Sequence, residues 1–334
     1  MHLTIVIPTY KRSAELKRLL HWLVAEYDQV RGLIHVIVSD NATPGGVSAD
    51  VLSIIEINPW IVLIQQVCNV GPDQNFMNAV DHVATPYFWL LGDDDLMVAG
   101  LLRPLLAYLG SHSPDLIYLP SYWTLSDLAI PAKALEKPGR QFNSLTAEQL
   151  AALCHVNLTF ISSWIVKSIH WRPNESAYDP KALVQTNMLQ MAWMLHALIH
   201  GNQFAVAQGA CVIASSGNTG GYKLLTVFGK HLPEILLDRL SGKVVLLNSI
   251  MLRLGWTYLP SLIWLSRLRV GNNFVQEDCE SALVLWHPTW AYRLLHKSML
   301  TFPKPLAFGL FMFAKLVDRL WTFRNQLRYI YLCR

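Results

Sequence analysis

The first hundred residues alternate short, β-branched apolar runs with amphipathic helical stretches, and this alternation limits the fold to few choices. Residues 3–7 form an apolar run closed by Pro8. Leu16, Leu19, Leu20, Leu23, Val24 and Tyr27 then recur at helical spacing, with Ser13 placed to cap the helix start. A second run over 33–38 ends at Ser39-Asp40-Asn41. A third over 61–64 precedes the turn Asn69-Val70-Gly71-Pro72, after which Phe76, Ala79, Val80 and Val83 share one helical face. A further run over 87–91 leads directly into Gly92-Asp93-Asp94-Asp95, followed by a predicted helix near 99–109 and a strand at 116–119. Strands separated by helices of this length imply an α/β fold, a mostly parallel Rossmann-like sheet with helices on both faces.

In such sheets ligands sit at the carboxyl ends of the strands. Those ends carry Thr9-Tyr10, Asp40-Asn41 and Asp93-Asp94-Asp95. Three adjacent carboxylates repel one another unless a cation lies among them. A hard ion such as Mg²⁺ or Mn²⁺ takes carboxylate oxygens together with phosphate oxygens, and neutralises charge on a departing diphosphate. The bland alternative is an acidic turn or helix N-terminus. Pro8-Thr9-Tyr10 offers backbone groups and a ring to a nucleobase, with Arg12 near the phosphates; a plain turn would show the same residues. Asp40 is placed to accept from a base ring N–H, or alternatively to close an Asx-turn.

Beyond residue 120 the chain loosens, with Pro131, Pro138 and Gly139 marking a loop. A strand is expected over 159–166, a long helix over 182–199, a flexible turn over 217–221, and a largely helical remainder. The predicted division is a domain over 1–225, with a nucleotide half 1–120 and an acceptor half 121–225, and a helical C-terminal region over 226–334. His196 and His200 have metal-compatible spacing but no third ligand, so they read as ordinary histidines. Five cysteines, odd in number and without metal-like spacing, fit a reducing compartment.

Of the 334 residues, 52% are hydrophobic and 15% charged, and the mean hydropathy is +0.28. That apolar excess points to a membrane surface or a partner chain. No run reaches the roughly 20 apolar residues that span a bilayer, and the N-terminus lacks the basic start of a signal peptide. From Arg293 to Arg334, eight Lys or Arg face Asp318 alone, interleaved with Phe308, Phe311, Phe313, Leu316, Leu320 and Trp321. A basic, aromatic helix too short to span suits the plane of an anionic membrane; packing on the domain is the alternative. No nucleic acid partner is expected.

The ordered set Ile5-Val6-Ile7-Pro8-Thr9-Tyr10-Lys11-Arg12, Val38-Ser39-Asp40-Asn41, Asn69-Val70-Gly71-Pro72-Asp73-Gln74-Asn75 and Gly92-Asp93-Asp94-Asp95 resembles the family 2 glycosyltransferases of GT-A fold. It looks most like the bacterial branch with abequosyltransferase-like, O-antigen-building enzymes. The resemblance covers residues 3–100, and continues more weakly through Phe160-Ile161-Ser162-Ser163 and residues 216–222. It implies that Pro8, Thr9, Tyr10 and Arg12 hold the nucleotide and that Asp40 reads the base. It further implies that Asn69, Asp73 and Asn75 line the ribose and diphosphate. Asp93 and Asp95 match the Asp-x-Asp pair, Asp95 being the expected metal ligand, with Asp93 or Asp94 toward the ribose or sugar.

Members of this family invert the anomeric centre, which requires a general base for the acceptor hydroxyl. The family's Glu-Asp pair is absent at Val184-Gln185-Thr186-Asn187. Asp179 is the candidate base, with Glu175 nearby; the alternative for Asp179 is a cap on the next helix. Glu277-Asp278 is a literal match but lies too late in the chain. The expectation is thus an inverting transferase moving sugar from a nucleotide-diphosphate sugar to a lipid-linked or oligosaccharide acceptor. It would work with Mn²⁺ or Mg²⁺, in the cytoplasm, on the inner face of the bacterial inner membrane. The alternatives are an inactive membrane scaffold and a nucleotidyltransferase, the latter disfavoured because no glycine-rich phosphate loop follows the first strand.

Overall fold

The computed structural model describes residues 2–124, 141–171, 179–216, 221, 223–268 and 277–332, with side chains to 322. The chain forms two compact units, one of residues 1–146 and 159–218, the other of 147–158 and 219–334. The expected loop features at Pro131, Pro138 and Gly139, together with Glu175 and the turn over 217–220, lie outside the described residues.

The first unit is built on an eight-stranded sheet. Its strands are β1 (Leu3–Thr9), β2 (Ile34–Asp40), β3 (Ile61–Gln65), β4 (Tyr87–Leu90), β6 (Leu116–Tyr118), β8 (Phe142–Leu145), β9 (Trp164–Lys167) and β10 (Phe204–Ala207), in the order β3-β2-β1-β4-β9-β6-β10-β8. A three-stranded sheet combines β5 (Leu96–Met97), β11 (Val212–Ser215) and β7 (Ser121–Thr124), in the order β5-β11-β7. Strands β3, β2, β1 and β4 run parallel, and β6 pairs parallel with β10. β9 runs antiparallel to both its neighbours. That reversal delivers the residues before β9 to the carboxyl edge of the parallel strands.

Both sides of β1 are covered, as its continuous apolar run requires. Leu3, Ile5 and Ile7 pack on one face with Leu16, Leu19, Leu20 and Leu23 of α1 (Ser13–Tyr27), Val51 of α2 (Ala49–Glu56) and Leu102, Leu105 and Leu109 of α4 (Leu102–His112). The other face carries α3 (Pro72–Val80) and α6 (Met191–His200), where Phe88 of β4 meets Trp193 edge-to-face at 5.5 Å. The expected sheet with helices on both faces is present. Ser13 is the first residue of α1 rather than its cap, and its hydroxyl accepts from the Ser48 N–H.

Two expected elements differ. The long helix over 182–199 is a short 3₁₀ turn, Pro180–Leu183, an irregular stretch, and then α6. The buried Asp73 carboxylate accepts from the N–H groups of Asn187 and Leu189, and Gln185 and Asn187 take left-handed φ of 72° and 57°. A tertiary acceptor has displaced the helix that local pattern favours. The strand expected over 159–166 begins only at Trp164, because Ser162 is diverted: its carbonyl accepts from Trp89 Nε1 at 2.8 Å.

The second unit is helical and includes α5 (Ala147–Cys154). Helix Val244–Arg253 places the buried Arg253 against Asp318 at 2.5 Å and Thr322 at 3.1 Å, both on the last helix, Lys304–Leu332. His296, held to about 4 by burial, donates through Nε2 to the Gly255 carbonyl at 2.6 Å. A Cβ on Gly255 would lie 2.5 Å from the Trp286 ring, whereas one on Gly242 meets nothing within 4 Å. Gly255→Ala is therefore expected to cost about 1–3 kcal/mol in denaturant unfolding, with Gly242→Ala within about 0.5 kcal/mol of wild type. Equal stability of the two variants would contradict this packing.

Candidate active site

Strands β1 and β4 stay paired only as far as Val6 and Leu90, whereas β1 and β2 remain in register to Thr9 and Asp40. The sheet opens beyond Val6, and the acidic triplet occupies that opening. Pro8 sits where it pairs with β2 alone, so its missing N–H disturbs no bond to β4.

Asp93, Asp94 and Asp95 are 4%, 8% and 4% exposed. Asp93 Oδ2 accepts from Thr9 Oγ1 at 2.7 Å, and its Oδ1 lies 3.2 Å from Arg12 Nη1. The same Arg12 nitrogen is 3.2 Å from Asp94 Oδ2, while Arg18 donates to the Asp94 carbonyl at 3.0 Å. Asp95 is held from elsewhere. Its Oδ2 accepts from Ser162 Oγ at 2.5 Å and its Oδ1 from the Ser215 N–H at 3.0 Å. Ser162 Oγ in turn accepts from the Gly92 N–H at 2.9 Å. A Cβ on Gly92 would come within 3.0 Å of Asp95 Oδ2 and 3.2 Å of Asp94 Oδ1, so glycine permits the carboxylates to fold back over this turn.

Beside the triplet, the loops after β1 and β2 are laced together. Asn41 N–H donates to the Thr9 carbonyl at 3.0 Å, and Lys11 N–H to Thr43 Oγ1 at 2.9 Å. Lys11 and Ala42 both adopt φ of 57°. Such left-handed backbone in residues with a Cβ is unfavourable and tends to mark sites where geometry is imposed. The Asp40 carboxylate accepts from the Thr43 N–H, three residues on, at 3.2 Å. Tyr10 hydrogen-bonds with Asn69 and with Lys11, which lowers its hydroxyl pKa, and Lys11 Nζ lies 4.9 Å over its ring. Asn69 Oδ1 also accepts from Asn41 Nδ2 at 3.1 Å and from the Gly71 N–H at 3.0 Å.

Pro8, Thr9, Tyr10, Arg12, Asp40, Asn69 and the three aspartates thus gather at one edge. Asp73 and Asn75, expected to line the ribose and diphosphate, instead turn into the frame. Asp73 holds the backbone of 187–189, and burial raises its pKa against those N–H bonds. Asn75 is closed against Ser39, accepting from its hydroxyl at 2.8 Å and donating to its carbonyl at 3.1 Å. Asp179 is exposed and caps the turn Pro180–Leu183, accepting from the Lys181 N–H at 2.9 Å. Glu277 accepts from the N–H groups of Leu225 and Thr226, at a helix start in the second unit.

Sequence reasoning assigned no role to Ser162 or Ser215. The run Phe160-Ile161-Ser162-Ser163 was the one available signal, and a backbone donor such as Ser215 leaves none. His196 pairs with His170 at 2.9 Å, and His170 with Asp115 at 3.0 Å. Burial alone would raise Asp115, but His170 and the N–H groups of Asn202 and Gln203 hold it near 2. This cluster lies at the start of β6, the opposite edge of the sheet, and ties β6 to the end of α6.

Burial raises Asp93 to about 6, opposed by Thr9 and Arg12; burial and Asp94 raise Asp95 to about 7, opposed by Ser162 and the Ser215 N–H. A carboxyl raised above its unfolded value favours the fold while neutral, and loses that contribution as pH rises through the folded pKa. In Asp95→Asn the amide oxygen can keep the Ser215 bond while its NH₂ donates to Ser162. With chelator present, that variant should melt above wild type by a few degrees more at pH 8 than at pH 5, the excess fading only as pH falls toward the unfolded value. The same difference at both pH values would rule out a raised Asp95.

Residues 4–162 match the family model described as glycosyl transferase family 2. Over 121 residues the chain is 31% identical to abequosyltransferase RfbV of Salmonella typhimurium, a match covering 36% of this chain and 35% of that protein. The chain thus spans about a third of that relative's length. Among solved structures, TarS 1-349 of S. aureus superposes with a TM-score of 0.59 at 15% identity, over 96% of this chain and 92% of that one. A mannosyltransferase from Pyrobaculum calidifontis, in complex with GDP-Man and Mn²⁺, gives 0.50 at 15% identity, over 96% and 87%. At such identity these two speak for the fold alone. The likeness to the glycosyl transferase family 2 model is thus confined to residues 4–162, and the chain has the fold of the GT-A glycosyltransferases.

Proposed function

We propose that this chain is a glycosyltransferase that moves a sugar from a nucleotide-diphosphate sugar to a glycan acceptor, with inversion. The observation that carries this reading is the buried triplet at the end of β4, braced by Thr9 and Arg12 and flanked by Asp40 at the end of β2. It is the arrangement expected of a nucleotide site at the carboxyl edge of a parallel sheet. TarS has been crystallised with UDP and with UDP-GlcNAc, and the Pyrobaculum enzyme with GDP-Man; nucleotide sugars of this class are the donors we assign.

In this reading Asp40 accepts from the base, Tyr10 and Asn69 border it, and Arg12 faces the phosphates. The triplet also fits a divalent cation. Among the described residues no group of three or more His, Cys, Asp or Glu side chains is placed to hold a metal ion unaided. Mg²⁺ and Mn²⁺ sites need only one or two carboxylates when substrate phosphates complete them. Asp95 meets a hydroxyl and an N–H, and Asp93 shares Arg12 with Asp94, so negative charge remains to be balanced. Asp95 and Asp93 would hold the ion, which when bound would neutralise charge on the leaving diphosphate. Ser162 and Ser215 orient Asp95, and Thr9 fixes Asp93. Inversion needs a base opposite the diphosphate, and Asp179 is the residue we propose for it.

We further propose a lipid-linked acceptor in bacterial surface polysaccharide synthesis, met at the inner membrane face. Among the described residues no helix is long and apolar enough to cross a membrane. On Lys304–Leu332, Ala307 and Ala314 turn inward at heptad spacing, while Leu306, Phe313 and Leu320, a second row at the same spacing, are exposed beside Lys315 and Arg319. An exposed apolar face flanked by cations suits an anionic lipid surface.

Two measurements test these assignments. Of UDP, GDP, CDP and dTDP, one should raise the melting temperature only with Mn²⁺ or Mg²⁺ present, by an amount that grows with concentration. Asp95→Ala should abolish that metal dependence while remaining folded, and unchanged binding would remove the metal assignment. In flotation with phosphatidylglycerol vesicles, the full chain should rise with the lipid, and the triple variant Leu306→Ser, Phe313→Ser, Leu320→Ser should stay behind. Equal flotation would place membrane contact elsewhere.

A further inference from the structure

Strand β7 lies at the edge of the three-stranded sheet, and strand alternation puts Ser121 and Trp123 on one side. That side meets the segment before β9. Ser121 Oγ and Ser163 Oγ are 2.5 Å apart, and the Trp123 and Phe160 rings stand 4.6 Å apart, tilted by 43°. Trp123 still leaves 50% of its surface in water. Phe160 is fixed beneath it, its carbonyl accepting from the Ser163 N–H and the preceding Thr159 carbonyl from Gln190 Nε2 at 2.8 Å. A rigidly backed, half-open indole is costly to leave in water unless something covers it.

Both aromatic residues connect to the same carboxylate. Phe160 precedes Ser162, whose hydroxyl donates to Asp95 Oδ2. Trp123 pairs in register with Ala214, next to Ser215, whose N–H donates to Asp95 Oδ1. The triplet therefore has two flanks. Thr9 and Arg12 grip Asp93 and Asp94 from the β1 side, where Tyr10, Asp40 and Asn69 also gather. Ser162 and Ser215 grip Asp95 from the other side, and the aromatic pair stands there.

We infer that Trp123 and Phe160 form a stacking platform for a pyranose ring of the acceptor glycan, on the Asp95 flank of the site. This rests on the glycosyl-transfer reading. A pyranose presents C–H groups over one ring face and hydroxyls around its edge. The half-open indole offers a face to the C–H groups, and the partly exposed Ser121 beside it offers a hydroxyl to the ring edge. Placement on the flank away from Asp40 and Tyr10 assigns the ring to the acceptor rather than to the donor.

Saturation-transfer NMR with methyl α-D-mannopyranoside, methyl α-L-rhamnopyranoside and methyl β-D-galactopyranoside tests the platform on the full chain. At least one glycoside should receive saturation mainly on the protons of one ring face. Trp123→Ala should weaken that binding about tenfold, Trp123→Phe should largely restore it, and Trp290→Ala, which removes a more exposed indole in the second unit, should leave it unchanged. No signal with the wild-type chain, or equal signal from Trp123→Ala, would overturn the platform. Loss of signal on adding a stabilising nucleoside diphosphate with Mn²⁺ would move the ring to the donor side and overturn the acceptor assignment. The diphosphate-induced melting shift of Trp123→Ala is read separately. If wild type and variant both lack that shift while the glycoside still binds, the donor reading fails and the platform stands.

Discussion

Three adjacent carboxylates, each less than a tenth exposed, end strand β4, and the surrounding structure is arranged to tolerate them. Buried negative charge without a partner is strongly unfavourable. The chain answers with one guanidinium shared between Asp93 and Asp94, hydroxyl donors from Thr9 and Ser162, and the Ser215 N–H. Those donors arrive from β1, from the segment before β9 and from β11, so three distant stretches of chain must be in place before the triplet is tolerable. Burial still raises Asp93 and Asp95, a sign that these donors do not fully offset the desolvation of three carboxylates.

Strain is concentrated around the same edge. Lys11 and Ala42 are left-handed in the loops beside the triplet, and Gln185 and Asn187 in the stretch that Asp73 holds. Each such residue costs on the order of 1–2 kcal/mol, which a local sequence would not accept unaided. Backbone bonds between loops retain them: Lys11 N–H to Thr43, Asn41 N–H to Thr9, and the Asn187 N–H to Asp73. The loops are thereby preorganised, and an incoming ligand need not order them.

The α/β sheet with helices on both faces was legible in the sequence because its evidence is local and repeated, while its GT-A type came from the resemblance of the ordered motifs. The short, β-branched run Ile5-Val6-Ile7, closed by Pro8, favours a doubly covered strand, and the Leu16 to Tyr27 pattern favours a helix with one buried stripe. The edge carrying Thr9, Asp40 and Asp93 followed from the same alternation, since parallel strands present their carboxyl ends together. Reading failed where one residue's conformation is set by a distant partner. The helical pattern over 182–199 is genuine, yet its first part is turned aside by Asp73, more than a hundred residues earlier. Asp73 and Asn75 sit in a motif-like stretch, but the first turn of α3 faces β2 and the 187–189 backbone rather than the open edge.

By itself the sequence determined the doubly wound first unit, the helical second unit and the convergence of acidic residues at one edge, because periodicity and strand polarity are written residue by residue. Only tertiary structure decided which of those residues face the opening and which brace it. Ser162 and Ser215 became partners of Asp95 through the antiparallel entry of β9 and the pairing of β11 with β5 and β7. The division of the triplet into a Thr9–Arg12 flank and a Ser162–Ser215 flank has no local signature. A hydroxyl or a backbone N–H acquires a specific role only when a buried carboxylate is brought within about 3 Å of it, and that distance is a property of the assembled fold.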